Sequence, residues 1–286
     1  MKINSIRLIL LLYSSFAFSQ QQATQPVRLN NISGNLYEVL GGTGARGGVF
    51  ISENGVLVID SKQDQKSVQQ TIEAISNLSD KSIKFLINTH SDGDHVTGNQ
   101  FFPSTVTIVS QENCRKEFFL PKRDGSPSDW NNPELFPFVP SVTFHNKMDI
   151  YLGSKRIELW YFGVGHTTGD AVVYFPEEKT AFIGDQVFEG RPQLIHSYKG
   201  GNSFEHVKTL TKMLETLPAE KFYSGHSDVL TREGIQKHID EMISIQKNIE
   251  TLINDNKTLN EVKNEFEKGQ NTLVEVIFNE IKNHKN

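Results

Sequence analysis

The segment from 88 to 95 places four side chains with metal-binding chemistry within a few positions. These side chains are His90, Asp92, Asp94 and His95. Imidazole and carboxylate groups are the donors that zinc, iron and manganese accept in proteins. In an extended loop, His90 and Asp92 project to one side, while Asp94 and His95 can serve a neighbouring position. The segment predicts a metal-binding loop, with helix capping or surface hydrogen bonding as the alternative.

Three later segments each place one further donor where an apolar strand is expected to end or turn. His166 lies in a Gly-His-Thr turn, Asp185 follows the apolar run that ends at Gly184, and His226 follows Gly225. A single histidine at a strand end is more typical of a structural residue than of a ligand. Four separate donor segments in this order are poorly explained by chance. Together they favour a shared metal site.

The elements that must position the first loop are visible in the hydrophobic pattern. Residues 56–59 form a continuous apolar run, as expected of a strand buried on both faces, and residues 83–87 predict a second buried strand. Between them, apolar residues from 67 to 78 recur at helical spacing. The second strand leads directly into the loop that carries the four donors. Gly93 is expected to let the backbone turn sharply there, so that the donors converge.

The rest of the chain indicates a layered α/β protein. Residues 121–140 form a loop with Trp130, Phe136 and Phe138, which either cover the site as a lid or pack the loop onto a sheet. The other segments predict short strands at 35–40, 48–51, 142–162, 171–175, 180–183 and 221–223, a helix at 204–217, and two or three helices within 233–284.

The first residues have the features of a signal peptide. Lys2 and Arg7 precede an apolar run from 8 to 18, and small residues follow at positions suited to cleavage near Ser19. A buried first helix or strand is the alternative. We therefore expect a signal peptide at 1–19, a single domain at 20–286 whose C-terminal helices begin at about 232, and a periplasmic or secreted protein.

Composition excludes several kinds of partner. The chain has 29 basic and 34 acidic residues, a formal net charge of −5, which argues against binding nucleic acid or an anionic membrane. Cys114 is the single cysteine, so an intramolecular disulfide is impossible. We expect a small-molecule substrate, no membrane attachment of the mature chain, and a monomer or homodimer.

The donor segments resemble those of the metallo-β-lactamase superfamily, which includes lactamases, glyoxalase II-like thioesterases and lactonases. The family's His-x-His-x-Asp-His pattern is met by His90, Asp94 and His95, with Asp92 where the second histidine usually stands. The later family ligands correspond to His166, Asp185 and His226. The resemblance implies an α/β fold of four layers, an αββα sandwich with the ligand loops at one edge.

The same resemblance implies roles for these residues. It assigns one metal ion to His90, Asp92 and His166, a second to Asp94, His95 and His226, and a bridging position to Asp185. A metal-activated water would then be the nucleophile, with Asp94 as the catalytic residue that orients it and protonates the leaving group. One or two zinc ions are the expected cofactors, with iron or manganese as alternatives.

The departures from the family pattern leave alternatives open. Asp92 is either a ligand or a carboxylate that orients a histidine ligand, and its charge could favour iron or manganese. Asp185 stands where many β-lactamases have cysteine. Phe188 stands where some have a lysine that holds the substrate carboxylate. Three residues of the following loop could replace that lysine or be merely solvated: Arg191, His196 and Lys199.

The function predicted from these residues is hydrolysis of an ester, lactone, thioester or amide bond, β-lactams included. Two other functions compete with it: iron-dependent redox chemistry on the same fold, and non-catalytic binding of a metal or ligand. The predicted second site, formed by Asp94, His95 and His226 beside Asp185, argues against the non-catalytic alternative, because binding alone needs no open water position.

Overall fold

The computed structural model describes residues 25–284 of the chain. The predicted signal peptide at 1–19 lies outside the described residues. The described part contains one seven-stranded and one five-stranded sheet, with helices on the outer face of each.

The seven-stranded sheet follows chain order from one edge to the other. Its first four strands pair antiparallel, and the fourth to the seventh pair parallel. Parallel neighbours require crossover connections, and the first helix, α1, makes the one between β4 and β5. The strands are β1 (Arg28–Ser33), β2 (Leu36–Leu40), β3 (Gly47–Ser52), β4 (Gly55–Ile59), β5 (Ile83–Asn88), β6 (Thr107–Gln111) and β7 (Val142–Phe144).

The five-stranded sheet has the order β12-β11-β10-β9-β8. Its strands are β8 (Lys147–Leu152), β9 (Lys155–Tyr161), β10 (Ala171–Phe175), β11 (Thr180–Gly184) and β12 (Lys221–Ser224). All neighbours are antiparallel except β11 and β12, which are parallel and are joined by a crossover through helix α4.

The main core lies between the two sheets. Leu57 and Ile87 from the first sheet pack with Leu159 and Val173 from the second in one buried apolar cluster. The outer faces of the sheets bury separate clusters against helices. These four layers confirm the predicted αββα sandwich. Strand β4 and the second half of β5 are buried on both faces, because they lie between the core and a helical layer.

The α-helices cover the outside of the sandwich, and the last three form a layer with its own apolar cluster. Among the described residues, no helix has the length and apolar content needed to span a bilayer. The helices are α1 (Gln65–Ser76), α2 (Gly93–Val96), α3 (Glu112–Glu117), α4 (Ser203–Thr216), α5 (Arg232–Asn254), α6 (Leu259–Asn264) and α7 (Asn271–His284).

Some elements were absent from the sequence prediction. Strand β1 is an exposed edge strand with little apolar content, so it lacks the pattern on which prediction depends. The stretch containing β6 and α3 was not assigned either. The loop at 121–140 contains two short 3-10 helices, Asp129–Asn131 and Pro133–Phe138.

We expect Ile87→Ala to lower the free energy of unfolding by about 2–5 kcal/mol, because Ile87 is fully buried in the core between the sheets. Leu78→Ala is the control, since Leu78 is 52% exposed, and its effect should stay within about 0.5 kcal/mol. Urea unfolding of the metal-free protein measures both. Equal midpoints and slopes for the two variants would contradict this assignment of the core.

Candidate metal centre

Four segments meet at one edge of the sandwich, and two of them follow strands of different sheets directly. The loop after β5 carries the first four donors, and the turn between β9 and β10 carries His166. Asp185 follows β11, and His226 lies two residues after the end of β12. Because β11 and β12 are parallel, their carboxyl ends reach the same edge of the sheet. The site is therefore assembled from both sheets.

The loop after β5 turns because a helix begins there. Asp92 is the N-cap residue of the short helix α2, with an extended backbone (φ −73°, ψ 142°). Gly93 is the first residue of that helix and is not among the glycines with a positive φ. The turn expected at Gly93 is present, but it is an ordinary helical turn that needs no left-handed backbone. The helical turn alone separates Asp92 from Asp94 and His95.

The first group of donors consists of His90, Asp92, His166 and Asp185. Their ligand atoms all lie within 4.8 Å of one another. Asp92 Oδ2 lies 3.0 Å from His166 Nε2 and 3.5 Å from His90 Nε2. Three of the four residues are buried, and Asp92 is nearly so. This arrangement provides two imidazole nitrogens and two carboxylates around one position.

The second group consists of Asp94, His95 and His226, again within 4.8 Å of one another. His226 Nε2 lies 2.9 Å from Asp94 Oδ2, and His95 Nε2 lies 3.9 Å from the same oxygen. Asp185 lies between the two groups: its Oδ1 is 3.2 Å from His95 Nε2, and its Oδ2 is 3.4 Å from His226 Nε2 and 3.8 Å from His90 Nε2. The structure thus brings all seven predicted donors together, with Asp185 in the central position.

Unpartnered buried atoms show that the donors fit metal ions. His90 Nε2, His95 Nε2 and Asp185 Oδ1 are buried and accept or donate no hydrogen bond. Buried polar atoms are normally hydrogen-bonded, and a group of them facing one point indicates an ion. The nitrogen and oxygen donors suit zinc, iron or manganese.

Two of the histidines, His95 and His166, are oriented by hydrogen bonds of their Nδ1 atoms, on the side of the ring away from the other donors. His95 Nδ1 lies 2.8 Å from Asp60 Oδ2, and His166 Nδ1 donates to the carbonyl of Leu194 at 2.7 Å. Asp60 also accepts hydrogen bonds from the amide and hydroxyl of Thr89. Such partners fix the tautomer, so that Nε2 is the atom left for a metal.

Asp60 is the functional residue that the sequence analysis missed. It directly follows the apolar run of β4, and its role depends on β4 lying beside β5. The backbone of Asp60 has a φ of 58°, a conformation that non-glycine residues rarely adopt. The feature of the sequence that could have indicated this role is a carboxylate directly after a buried strand.

Two glycines make room for the donors. A Cβ on Gly225 would lie 2.5 Å from Asp185 Oδ1 and 2.6 Å from His95 Cε1. Gly184 has a φ of 52°, and a Cβ there would lie 2.6 Å from the Thr89 hydroxyl. Side chains at these positions would displace the donors, so glycine is required beside Asp185 and His226.

The carboxylates and imidazoles shift one another's pKa. Burial alone would raise the pKa of Asp185, but the neighbouring imidazoles of His95 and His226 hold it well below its usual range. Burial opposes protonation of His166, yet its hydrogen bond to Asp92 raises its pKa to about 9. In the same way, Asp185 and Asp94 raise the pKa of His226 to about 9. In the metal-free protein the site therefore holds protons on histidines at neutral pH.

The second group is the more accessible of the two. The side chains of Asp94 and His226 are 30% and 27% exposed, whereas His90 and His166 are buried. A cavity of about 350 Å³ adjoins the donors. Its lining includes Asp92, Asp94, Phe118, Trp130, Tyr198 and Lys199. Solvent and small molecules therefore approach from the side of Asp94.

The loop after Asp185 is not merely solvated. His196 Nε2 lies 2.8 Å from Asp92 Oδ2, and Lys199 Nζ lies 2.6 Å from Asp92 Oδ1. Arg191 differs from these two residues, because it is exposed and lies over the ring of Phe188. His196 and Lys199 thus contact a metal donor directly.

The aromatic residues of the loop at 121–140 have different surroundings. Phe138 packs against the apolar cluster beneath α1, and Trp130 contacts Phe118 at the cavity with the two rings tilted by 58°. Phe136 is largely exposed and meets the ring of Phe119. Packing of the loop accounts for Phe138, and Trp130 forms a wall beside the donors.

Comparison with known families gives a match that spans the site. The family model described as "Metallo-beta-lactamase superfamily" matches residues 48–226, more than half of the chain. All seven donors lie within the matched range.

Individual relatives are similar at lower identity. A metallo-beta-lactamase type 2 from Elizabethkingia meningoseptica is 23% identical over 239 residues, which are 81% of this chain and 90% of that protein. The 2,4-dinitroanisole O-demethylase subunit alpha of Nocardioides sp. (strain JS1661) is 24% identical, over 61% of this chain and 49% of the subunit.

Among solved structures, a metallo-beta-lactamase from Pontibacter korlensis superposes with a TM-score of 0.61 at 16% identity, covering 76% of this chain and 98% of that one. At this identity the likeness shows a common fold.

We expect Asp60→Asn to weaken metal binding about 10–100-fold. Both carboxylate oxygens of Asp60 accept hydrogen bonds, from Thr89 and from His95, whereas an amide has only one oxygen that can accept them. Competition against a chromophoric chelator measures the affinity. Asp80→Asn is the control, since Asp80 is 88% exposed and precedes the start of β5, at the opposite end of that strand from the donor loop. Equal affinities for the two variants would contradict the role of Asp60.

We expect metal binding at pH 7 to release protons, about two for a fully loaded site, because His166 and His226 must lose the protons that their pKa of about 9 retains. The sign follows from the raised pKa values: affinity rises from pH 7 towards pH 9, and proton release falls. Calorimetric titration with zinc in phosphate and in Tris measures the release. Identical heats in the two buffers at pH 7 would contradict the prediction.

Proposed function

Because the chain belongs to the metallo-β-lactamase superfamily, we propose that this metal-dependent hydrolase is exported and cleaves an ester, lactone, thioester or amide bond of a small molecule. The single observation that carries the choice of hydrolysis is the partly open second group of donors. The side chains of Asp94 and His226 are partly exposed, and Asp94 lines the cavity, while His90, His95, His166 and Asp185 are buried. A purely structural metal site is closed, whereas a catalytic site keeps a position for water.

The residues divide into those that hold metal and those that meet the substrate. His90, Asp92 and His166 would hold one ion, and Asp94, His95 and His226 the other, with Asp185 between them. When bound, such ions lower the pKa of water and polarise a carbonyl group. Zinc is the proposed metal, and the nitrogen and oxygen donors also accept iron or manganese.

Asp94 is the residue of this chain best placed to move a proton. Its carboxylate reaches the cavity, and one of its oxygens lies 2.9 Å from His226 Nε2. Burial alone would raise the pKa of Asp94, but the hydrogen bond from His226 and the charges of His95 and His226 together keep it below its usual value. The carboxylate is therefore ionised at neutral pH, ready to accept a proton from water and to return it to a leaving group.

The cavity beside Asp92 and Asp94 is the proposed substrate site. Trp130 and Phe118 offer an apolar wall, and Tyr198 lies opposite on the loop after Asp185. A larger cavity of about 400 Å³ lies between the segment at 187–193 and α5, and none of the seven donors lines it. The smaller cavity is favoured because bond cleavage requires contact with the donors.

Two further parts of the proposal concern export and the range of substrates. Export rests on the sequence of residues 2–19, whose charge and apolar run are those of a signal peptide. The names of the relatives widen the substrates worth testing to β-lactams and aryl methyl ethers. No observation in the site favours redox chemistry over hydrolysis.

The experiment that tests the function begins with elemental analysis of the purified protein, followed by assays with lactones, thioesters, aryl esters, β-lactams and a nitroaryl methyl ether. We expect two zinc ions per chain and hydrolysis of at least one substrate class, lost on chelation and restored by zinc. Bound iron with no hydrolysis would favour redox chemistry. Failure to bind any metal after reconstitution would refute the proposal.

Asp94→Asn is expected to lower kcat on the substrate identified in that assay by about 10²–10⁴-fold, because the amide cannot accept the proton that the carboxylate takes from water. Asp240→Asn is the matched control, since Asp240 is exposed on α5. Metal content is measured in parallel, because Asp94 is also a donor. A fully metallated Asp94→Asn variant with unchanged kcat would show that proton transfer does not depend on this carboxylate.

A further inference from the structure

The two oxygens of Asp92 have different partners. Oδ2 faces the donor cluster, where it lies 3.0 Å from His166 Nε2, 3.5 Å from His90 Nε2 and 2.8 Å from His196 Nε2. Oδ1 faces the other way and lies 2.6 Å from Lys199 Nζ. One carboxylate therefore has one oxygen available to an ion and one already engaged by an ammonium group.

Lys199 is buried and fixed by hydrogen bonds of its ammonium group. Its side chain is 8% exposed, and its Nζ also donates to the hydroxyl of Ser91 at 2.8 Å. Ser91 in turn donates to the buried carboxylate of Glu117 at 2.6 Å. Glu117 accepts a further hydrogen bond from the amide of Thr168, two residues after His166. This network ties Lys199 to the loop of Asp92 and to the turn of His166.

A lysine in this position changes the charge that the first donor group presents. A buried ammonium is unfavourable unless it is paired, and Lys199 is paired with Asp92. Together the two side chains have a net charge of zero, which is also the charge of a neutral imidazole. The pair also leaves Asp92 only Oδ2 to offer, because moving Oδ1 towards the cluster would strand the buried ammonium.

We propose that Lys199 is a positioning residue that neutralises Asp92 and restricts it to binding a metal ion through a single oxygen. The pair Asp92–Lys199 then acts as one neutral, one-atom donor at the first group. This inference rests on the metal binding proposed above and is independent of which bond the enzyme cleaves.

The test is titration of the full metal-free chain with cobalt(II), followed by its visible d–d absorption and by elemental analysis. These bands weaken as the coordination number rises, so they report ligand geometry rather than fold. In K199M the freed Oδ1 joins the first ion, and the absorption per bound cobalt falls. K199R keeps the charge and the hydrogen-bond donors and retains the wild-type spectrum.

K208M is the matched control, because Lys208 is an exposed lysine of α4 that pairs only with Glu205. Its spectrum should equal that of the wild type. A K199M spectrum that stays the same or gains intensity would overturn the proposal. So would a K199R spectrum like that of K199M. Wild-type protein that binds no cobalt would instead refute the metal site itself, which separates the two failures.

A second comparison covers the case in which K199M does not fold. D92N and D92N/K199M are titrated in the same way, and the double variant contains neither member of the buried charge pair, so no unpaired charge remains. If Lys199 acts through Asp92, the two spectra are the same. A further spectral change on adding K199M to D92N would show an independent action of Lys199 and would overturn the proposal.

Discussion

The buried carboxylate of Asp185 is the charge around which the site is arranged. Its oxygens lie 3.2–3.8 Å from the Nε2 atoms of His90, His95 and His226. A buried charge persists only when it is compensated by partners. Two of these imidazoles come from the loop after β5, and the third from the end of β12, so compensation requires both sheets to be packed together. The geometry of the sandwich and the electrostatics of the site therefore depend on each other.

Hydrogen-bond partners on the outer side of the donors explain how several imidazoles and carboxylates can lie within one small volume. Asp60 and the carbonyl of Leu194 each bind the Nδ1 atom of one histidine, and Lys199 binds the outer oxygen of Asp92. These three donors, His95, His166 and Asp92, consequently each present one defined atom to the centre. An ion entering such a site finds its ligands already oriented, which lowers the reorganisation that binding requires.

Much of this could be predicted from the sequence, because the informative residues lie directly after strong strand signals. The apolar runs of β4 and β5 indicated a layered α/β chain. The donor segments carried the resemblance to a known superfamily, and that resemblance implied the αββα fold and the grouping of His90 with His166. The role of Asp60 was not predictable, since it depends on pairing between β4 and β5. The contact of Lys199 with Asp92 escaped prediction for a related reason: a charged loop residue is usually solvated, and only tertiary contacts bury this one. Strand β1 was missed because an exposed polar edge carries no periodic signal.

Each group of donors takes members from both sheets, and this has a consequence for how the protein folds. The sites cannot exist in the first half of the chain alone, because His226 arrives with the last strand. A metal ion therefore binds the completed tertiary structure, because the first half of the chain alone does not contain a complete site. Its binding free energy is added entirely to the native state, by RT ln(1 + [L]/Kd) for each site. The ambient concentration of the metal thus contributes to the free energy of unfolding of the whole sandwich. When the ion is scarce, both sheets lose this stabilisation at the same time.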